Sequence, residues 1–183
     1  MKSKHKIIFV VGEPASGKTS AIRCILGNSY TNLMMPEKSI KFSVKNDIVF
    51  TGHYTGKTYD GSDTVPFNGA QKNFDYWRDN IYPSKKYKCT IFDGDRFSYR
   101  KILEQMKSLH TDITCLLLHC DDVVLNDRQE KRGVQDRTWL KTRKTKVRNF
   151  VNMFPIAYTY DTTINPPEDV AKFIVRHING KTN

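Results

Sequence analysis

The chain has 183 residues, 38% of them hydrophobic and 27% charged, the balance of a water-soluble domain with room for a proper core. No apolar run approaches the roughly 20 residues of a membrane-crossing helix, and the stretch at 7–11 is too short for a signal peptide, so a cytoplasmic protein is expected. The net charge of +11 favours a polyanionic partner such as DNA or RNA, and four cysteines without a C-x-x-C pair speak against a structural zinc site.

Taken in chain order, residues 7–11 (IIFVV) read as a buried strand, and 18–26 as a helix. Between them lies Gly12-Glu13-Pro14-Ala15-Ser16-Gly17-Lys18-Thr19, a complete G-x-x-x-x-G-K-[ST] phosphate loop, with Ser20 next. The chemistry needs these residue types. Glycines let the backbone turn its N–H groups toward phosphate, Lys18 bridges the outer phosphates of ATP, and the Thr19 hydroxyl ligates Mg2+. The helix opening at Lys18 adds its positive dipole end.

Residues 39–44 and 48–50, joined by Lys45-Asn46-Asp47, look like a β-hairpin. The turn-rich loop 59–66 follows. Its Asp60 and Asp63 are both candidate general bases, although an Asp-Gly turn explains Asp60 well and Asp63 less well. Helical spacing runs through Phe74, Trp77 and Ile81 over 69–82. A strand at 89–92 then ends on Asp93-Gly94-Asp95-Arg96. Carboxylates at the carboxyl end of a parallel strand suit ligand chemistry. Asp93 is expected to reach the magnesium, and Asp95 is the second candidate for the acceptor hydroxyl.

A helix is expected over 99–109, and the most apolar run, 113–119, is expected to be a central strand. The stretch 122–152 reads as helical and basic, with Gly133-Val134-Gln135-Asp136 as a hinge. Arg128, Arg132 and Arg137 are candidate lid arginines for the transferring phosphoryl group, and Lys141, Arg143, Lys144, Lys146 and Arg148 candidate contacts to nucleic-acid phosphates. A strand at 156–160 and a helix at 168–178, opened by Pro166 and Pro167, complete the chain.

Strands alternating with helices predict one α/β domain over 1–183. The expected fold is a three-layer P-loop NTPase: a mainly parallel central sheet, a β-hairpin insertion within 30–66 on the acceptor side, and a basic helical lid over 127–150.

Four stretches together resemble a family, the phage-encoded P-loop kinases that act on 5-hydroxymethyluracil in DNA and their nucleotide-kinase-like relatives. They are the phosphate loop; Gly61-Ser62-Asp63-Thr64 with Gln71 beyond; Asp93-Gly94-Asp95-Arg96; and the run Trp139-Leu140-Lys141-Thr142-Arg143-Lys144-Thr145-Lys146-Val147-Arg148-Asn149. The match spans most of the chain, and the last run is its most specific part. Asp93 stands where that family often has Glu, and Thr64-Val65-Pro66 departs from its usual wording. The resemblance implies transfer of the ATP γ-phosphate to a hydroxymethylated pyrimidine in DNA, a step of DNA hypermodification in the host cytoplasm. It also places an acid at Asp63. A free deoxynucleoside monophosphate kinase, a 5′-polynucleotide kinase, and a nucleotide-regulated nucleic-acid-binding protein without transfer chemistry share many of these parts.

Overall fold

A computed structural model describes residues 4–57, 59–109, 111–133 and 136–180. Seven strands form one sheet: β1 (Lys6–Val11), β2 (Thr31–Asn32), β3 (Phe42–Lys45), β4 (Ile48–Thr51), β5 (Cys89–Asp93), β6 (Asp112–His119) and β7 (Ala157–Asp161). Their order is β2-β3-β4-β5-β1-β6-β7. From β4 to β7 all pairs are parallel, and only β2–β3 and β3–β4 are antiparallel. Six α-helices accompany the sheet: α1 (Lys18–Leu26), α2 (Ala70–Tyr76), α3 (Arg100–Ser108), α4 (Asp122–Lys131), α5 (Arg137–Val151) and α6 (Pro167–Ile178). Among the described residues, no helix is long and apolar enough to cross a membrane.

The period-2 alternation of β1 divides the core. Ile7, Phe9 and Val11 point to one side, among residues of α2, α3 and α5 such as Phe74, Leu103 and Phe150. Ile8 and Val10 point to the other, against Ala21, Ile22 and Leu26 of α1 and Val170 and Ile174 of α6. Helices on both faces of a mainly parallel sheet make the three layers of the expected α/β P-loop NTPase fold.

Three local expectations change. The run 113–119 becomes β6, an interior strand but the sixth of seven; the fully buried centre is shared by β1 and β5, because the insertion strands extend the sheet beyond β5. The helix expected over 69–82 changes pitch twice, from α2 through a π-helical turn at Trp77–Ile81 to a 3-10 turn at Tyr82–Ser84. The wide π turn seats Trp77 in the core, where its Nε1 donates to Thr90 Oγ1 at 2.9 Å. The two-residue β2 was not foreseen. The basic stretch is two helices, α4 and α5, the second capped by Asp136, whose carboxylate accepts from Trp139 N. The hinge expected at 133–136 falls partly on Val134 and Gln135, which lie outside the described residues.

Register brings the functional strand ends together. Val10 of β1 pairs with Asp93 of β5, and Gly94 N donates to Val10 O at 2.9 Å. The loops after β1, β5, β6 and β7 therefore open at one edge. Strand order reverses there, with the later β5 and β6 flanking β1 on opposite sides, the usual ligand crevice of an open α/β sheet.

Candidate active site

The phosphate loop turns tightly between β1 and α1. A Cβ on Gly12 would stand 2.3 Å from Leu118 O and 2.4 Å from Ser16 Oγ, so only glycine fits beside β6. Gly17, at φ +90°, is the left-handed residue that swings the chain into α1. The loop is held from outside by residues that sequence reading did not single out. Gln129 Nε2 donates to Pro14 O at 3.1 Å. The Thr162 hydroxyl lies 3.2 Å from Ser16 O and 3.0 Å from His119 O. Lys18 Nζ donates to Gly12 O at 2.9 Å and Glu13 O at 2.7 Å. Burial lowers the Lys18 pKa, an effect opposed by Asp93, Asp63 and Asp95, all within electrostatic reach.

Asp93 ends β5 and is buried. Its Oδ2 accepts from the Tyr54 hydroxyl at 3.0 Å, while its Oδ1 is shielded from solvent with no hydrogen-bond partner. Burial pushes its carboxyl up to about 7, with Lys18 acting in the opposite direction. Tyr54 is itself buried, and its phenol is raised well above the usual range by that burial and by Asp93, so it stays a neutral donor.

The acceptor-side loop packs directly on this strand end. Gly61 N donates to His53 O at 2.9 Å, and His53 N to Thr64 Oγ1 at 2.9 Å. A Cβ on Gly61 would stand 2.5 Å from Asp93 Oδ2 and one on Gly94 2.5 Å from Ser62 Oγ, so both glycines mark close approach. Asp60 is a structural residue. Its buried carboxylate accepts from Thr55 N and Oγ1, Gly56 N and Arg23 Nε, and against the opposing effect of burial these partners hold its pKa below the usual range. Asp63 instead opens on the cleft, where surrounding protein raises its pKa although Lys18 and Arg96 pull it down.

Around this centre runs a cleft of about 820 Å³. It is lined by Gly12, Lys18, Thr19 and Ser20, by Asp63, Asp93 and Asp95, and by Arg128 and Arg132 of the expected lid set. Arg128 is anchored, donating from Nη1 and Nη2 to the Thr162 hydroxyl and carbonyl at 3.1 and 2.9 Å. Arg137 does not line the cleft, whereas Arg143 does. The reason is helical phase: at 100° per residue Arg137, Lys141, Lys144 and Arg148 share the outward face of α5, and Trp139, Arg143, Lys146, Val147 and Phe150 the inward one.

The basic set is therefore divided. Arg143 Nη1 pairs with Asp95 Oδ2 at 2.6 Å, and Lys146 Nζ donates to Asp95 O at 2.6 Å. Asp95 is thus held by α5, while Lys141, Lys144 and Arg148 stay exposed, Lys144 reaching Glu13 at 3.4 Å and Asp122 at 3.5 Å.

The residues present fit ATP and magnesium. Glycine-only positions, Lys18 and the N-terminus of α1 form a cradle for phosphates. Thr19 and the unpartnered Oδ1 of Asp93 would hold the ion, which takes few protein ligands and completes its shell with water and phosphate oxygens.

No protein-family model and no curated protein matches the chain. Solved structures do. A sugar kinase from Janibacter superposes with a TM-score of 0.52 at 12% identity, covering 96% of this chain and 95% of that one. A shikimate kinase from Acinetobacter baumannii, solved with shikimate, gives 0.40 at 12% identity, covering 97% and 95%. At this identity the sugar-kinase likeness speaks to fold.

Proposed function

We propose that the chain is an ATP-dependent phosphotransferase that moves the γ-phosphate to the hydroxyl of a hydroxymethylated pyrimidine, 5-hydroxymethyluracil, in DNA. The observation that carries the transfer chemistry is the meeting of Lys18, Asp93 and Asp63, from three separate segments, in one cleft. Asp63 accepts the proton of the acceptor hydroxyl. The freed oxygen bonds to the γ-phosphorus as the bond to the β–γ bridging oxygen breaks, and Lys18 and Arg132 neutralise the charge on the phosphates. Mg2+, held by Thr19 and Asp93, supplies further neutralisation when bound.

The DNA acceptor is supported by the net charge of +11 and by the outward basic stripe Arg137, Lys141, Lys144 and Arg148 of α5. It is also supported by the four-stretch family resemblance. The test is intact-mass analysis of an oligonucleotide carrying one hydroxymethyluracil after incubation with enzyme, ATP and Mg2+. A gain of one phosphoryl group is expected. The matching thymine oligonucleotide should be unchanged.

One observation favours a second reading, a kinase of free deoxynucleoside monophosphates. Arg143 and Lys146 are committed to Asp95, which leaves fewer cations for a polymer than the sequence suggests. Phosphorylation of the free monophosphate with none of the oligonucleotide would select it.

A further inference from the structure

Phe9, Phe42, Phe50, Phe74, Phe92, Phe97, Phe150 and Trp77 are fully buried. Phe67 and Trp139 are not. Phe67 is 62% exposed and Trp139 39% exposed. Both lie against guanidinium groups. Arg143 Cζ stands 5.0 Å from the Trp139 ring centre and 5.9 Å from that of Phe67, and Arg96 Cζ stands 5.4 Å from Phe67. The four side chains come from three places: Phe67 follows the acceptor loop, Arg96 lies in the turn after β5, and Trp139 and Arg143 are one helical turn apart on α5. Arg96, Trp139 and Arg143 line the cleft together with Asp63.

The guanidinium groups are incompletely used. Arg143 gives Nη1 to Asp95, but its Nε is shielded from solvent without a hydrogen-bond partner, and so is Arg96 Nη1. Shielded cationic donors without acceptors are strained electrostatically, and a ligand that brings oxygen atoms relieves them. Arginine N–H groups only donate. They accept carbonyl oxygens on a ring edge and reject an amino group in the same position.

We propose that Trp139, Arg96 and Arg143 form the seat of the acceptor ring: Trp139 stacks on its face, and the two unpartnered N–H groups bind its carbonyl oxygens. Phe67 is the positioning residue that holds both guanidinium groups. The seat selects a planar ring with two carbonyl oxygens, a pyrimidine-dione, over an aminopyrimidine of the same size. This rests on the proposed phosphotransferase reading but concerns binding, which is measurable without transfer.

Trp139 also supplies the readout, because the other tryptophan, Trp77, is sealed in the core. The experiment is a fluorescence titration of the full chain with single-stranded oligonucleotides carrying one 5-hydroxymethyluracil or one 5-hydroxymethylcytosine, and with the two free nucleoside monophosphates. Quenching by the hydroxymethyluracil ligand is expected, with affinity at least about tenfold above its cytosine counterpart. Trp139→Phe should lose the quenching signal, and Arg96→Gln should narrow the preference while the melting temperature stays near wild type. Equal affinity for the two rings, or quenching that survives in Trp139→Phe, overturns the seat. A ring preference seen only with the free monophosphates keeps the seat and rejects DNA as the substrate. Transfer to both oligonucleotides at equal rate keeps the phosphotransferase reading and rejects the seat.

Discussion

Gly61 joins the acceptor loop to the metal-side carboxylate, and its replacement by alanine gives a difference measurement with an internal control. Gly61 has φ +62°, and an added Cβ would lie 2.5 Å from Asp93 Oδ2, 2.7 Å from the Tyr54 hydroxyl oxygen and 2.9 Å from Tyr54 Cζ. Neither neighbour can retreat easily. Tyr54 is buried and pinned by bonds from Tyr30 and Asn32 to its carbonyl oxygen and by its own hydroxyl on Asp93. Gly56, in the same insertion, has φ +78° but nothing within 4 Å of an added Cβ. Gly56→Ala therefore meets backbone strain alone, about 1–2 kcal/mol. Gly61→Ala meets that strain plus overpacking of about 1–3 kcal/mol, a total of about 2–5 kcal/mol. At about 2–4 °C per kcal/mol for a chain of this size, Gly61→Ala should lower the melting temperature by about 4–20 °C and Gly56→Ala by about 2–8 °C. Urea denaturation of the three proteins with a common m-value provides the free energies. Gly61→Ala should also lose phosphoryl transfer, because the acceptor loop is driven off the strand end, while Gly56→Ala turns over near wild type. Equal denaturation midpoints for the two variants would refute the packing argument.

Lys18→Ala should abolish transfer with the circular-dichroism melt nearly unchanged, and wild-type turnover in that variant would remove the nucleotide site from the phosphate loop. Asp63→Asn should cut turnover by about a hundredfold while ATP affinity holds. Because the surrounding protein raises the Asp63 carboxyl, the base form is lost as pH falls through a value above the ordinary aspartate range; the wild-type pH–rate profile should show that acid limb and the Asn variant should lack it. Asp93 binds its proton more tightly in the folded state, at about 7 against 3.8, so it destabilises the fold increasingly as pH climbs from about 4 to about 7. Without metal and nucleotide, Asp93→Asn should therefore gain melting temperature relative to wild type at pH 8 but not at pH 4, and a gain of equal size at both would contradict this. Binding of a single-stranded oligonucleotide through up to four outward basic residues of α5 should weaken with salt at a slope of about −0.7 per phosphate contact, and a slope near zero would exclude the stripe.

The parts of this protein that sequence makes legible are those whose physics is local. The phosphate loop is eight contiguous residues between a strand and a helix, and its geometry depends on the glycines inside it. The layer architecture follows from apolar runs whose period changes between strand and helix. The rest depends on distant partners. Tyr54 meets Asp93 across 39 positions, and Thr162 meets Ser16 across 146, so neither contact leaves a local pattern. The lid arginines show an intermediate case. Charge alone marks the whole stretch from Arg128 to Arg148, but only the rotation of α5 decides that Arg143 turns inward and Arg137 outward. That rotation is set by Val147 and Phe150 entering the core, a pattern the helical period contains once the helix start at Arg137 is known. Asp95 is the same lesson from the other partner: as a lone strand-end acid it reads as a base candidate, and its ion pair with Arg143 appears only when α5 is packed.

The central claim, transfer of the ATP γ-phosphate to a hydroxymethylated base in DNA, is tested most directly by label transfer. Wild type and Lys18→Ala are incubated with ATP labelled at the γ-phosphate, Mg2+, and in separate reactions hydroxymethyluracil DNA, plain DNA, free deoxynucleoside monophosphates, or buffer alone. The account predicts label in the hydroxymethyluracil DNA with wild type, none in that DNA with Lys18→Ala, and none in plain DNA with either protein. Label that reaches only the free monophosphates, or equal labelling of plain and hydroxymethylated DNA, would contradict it.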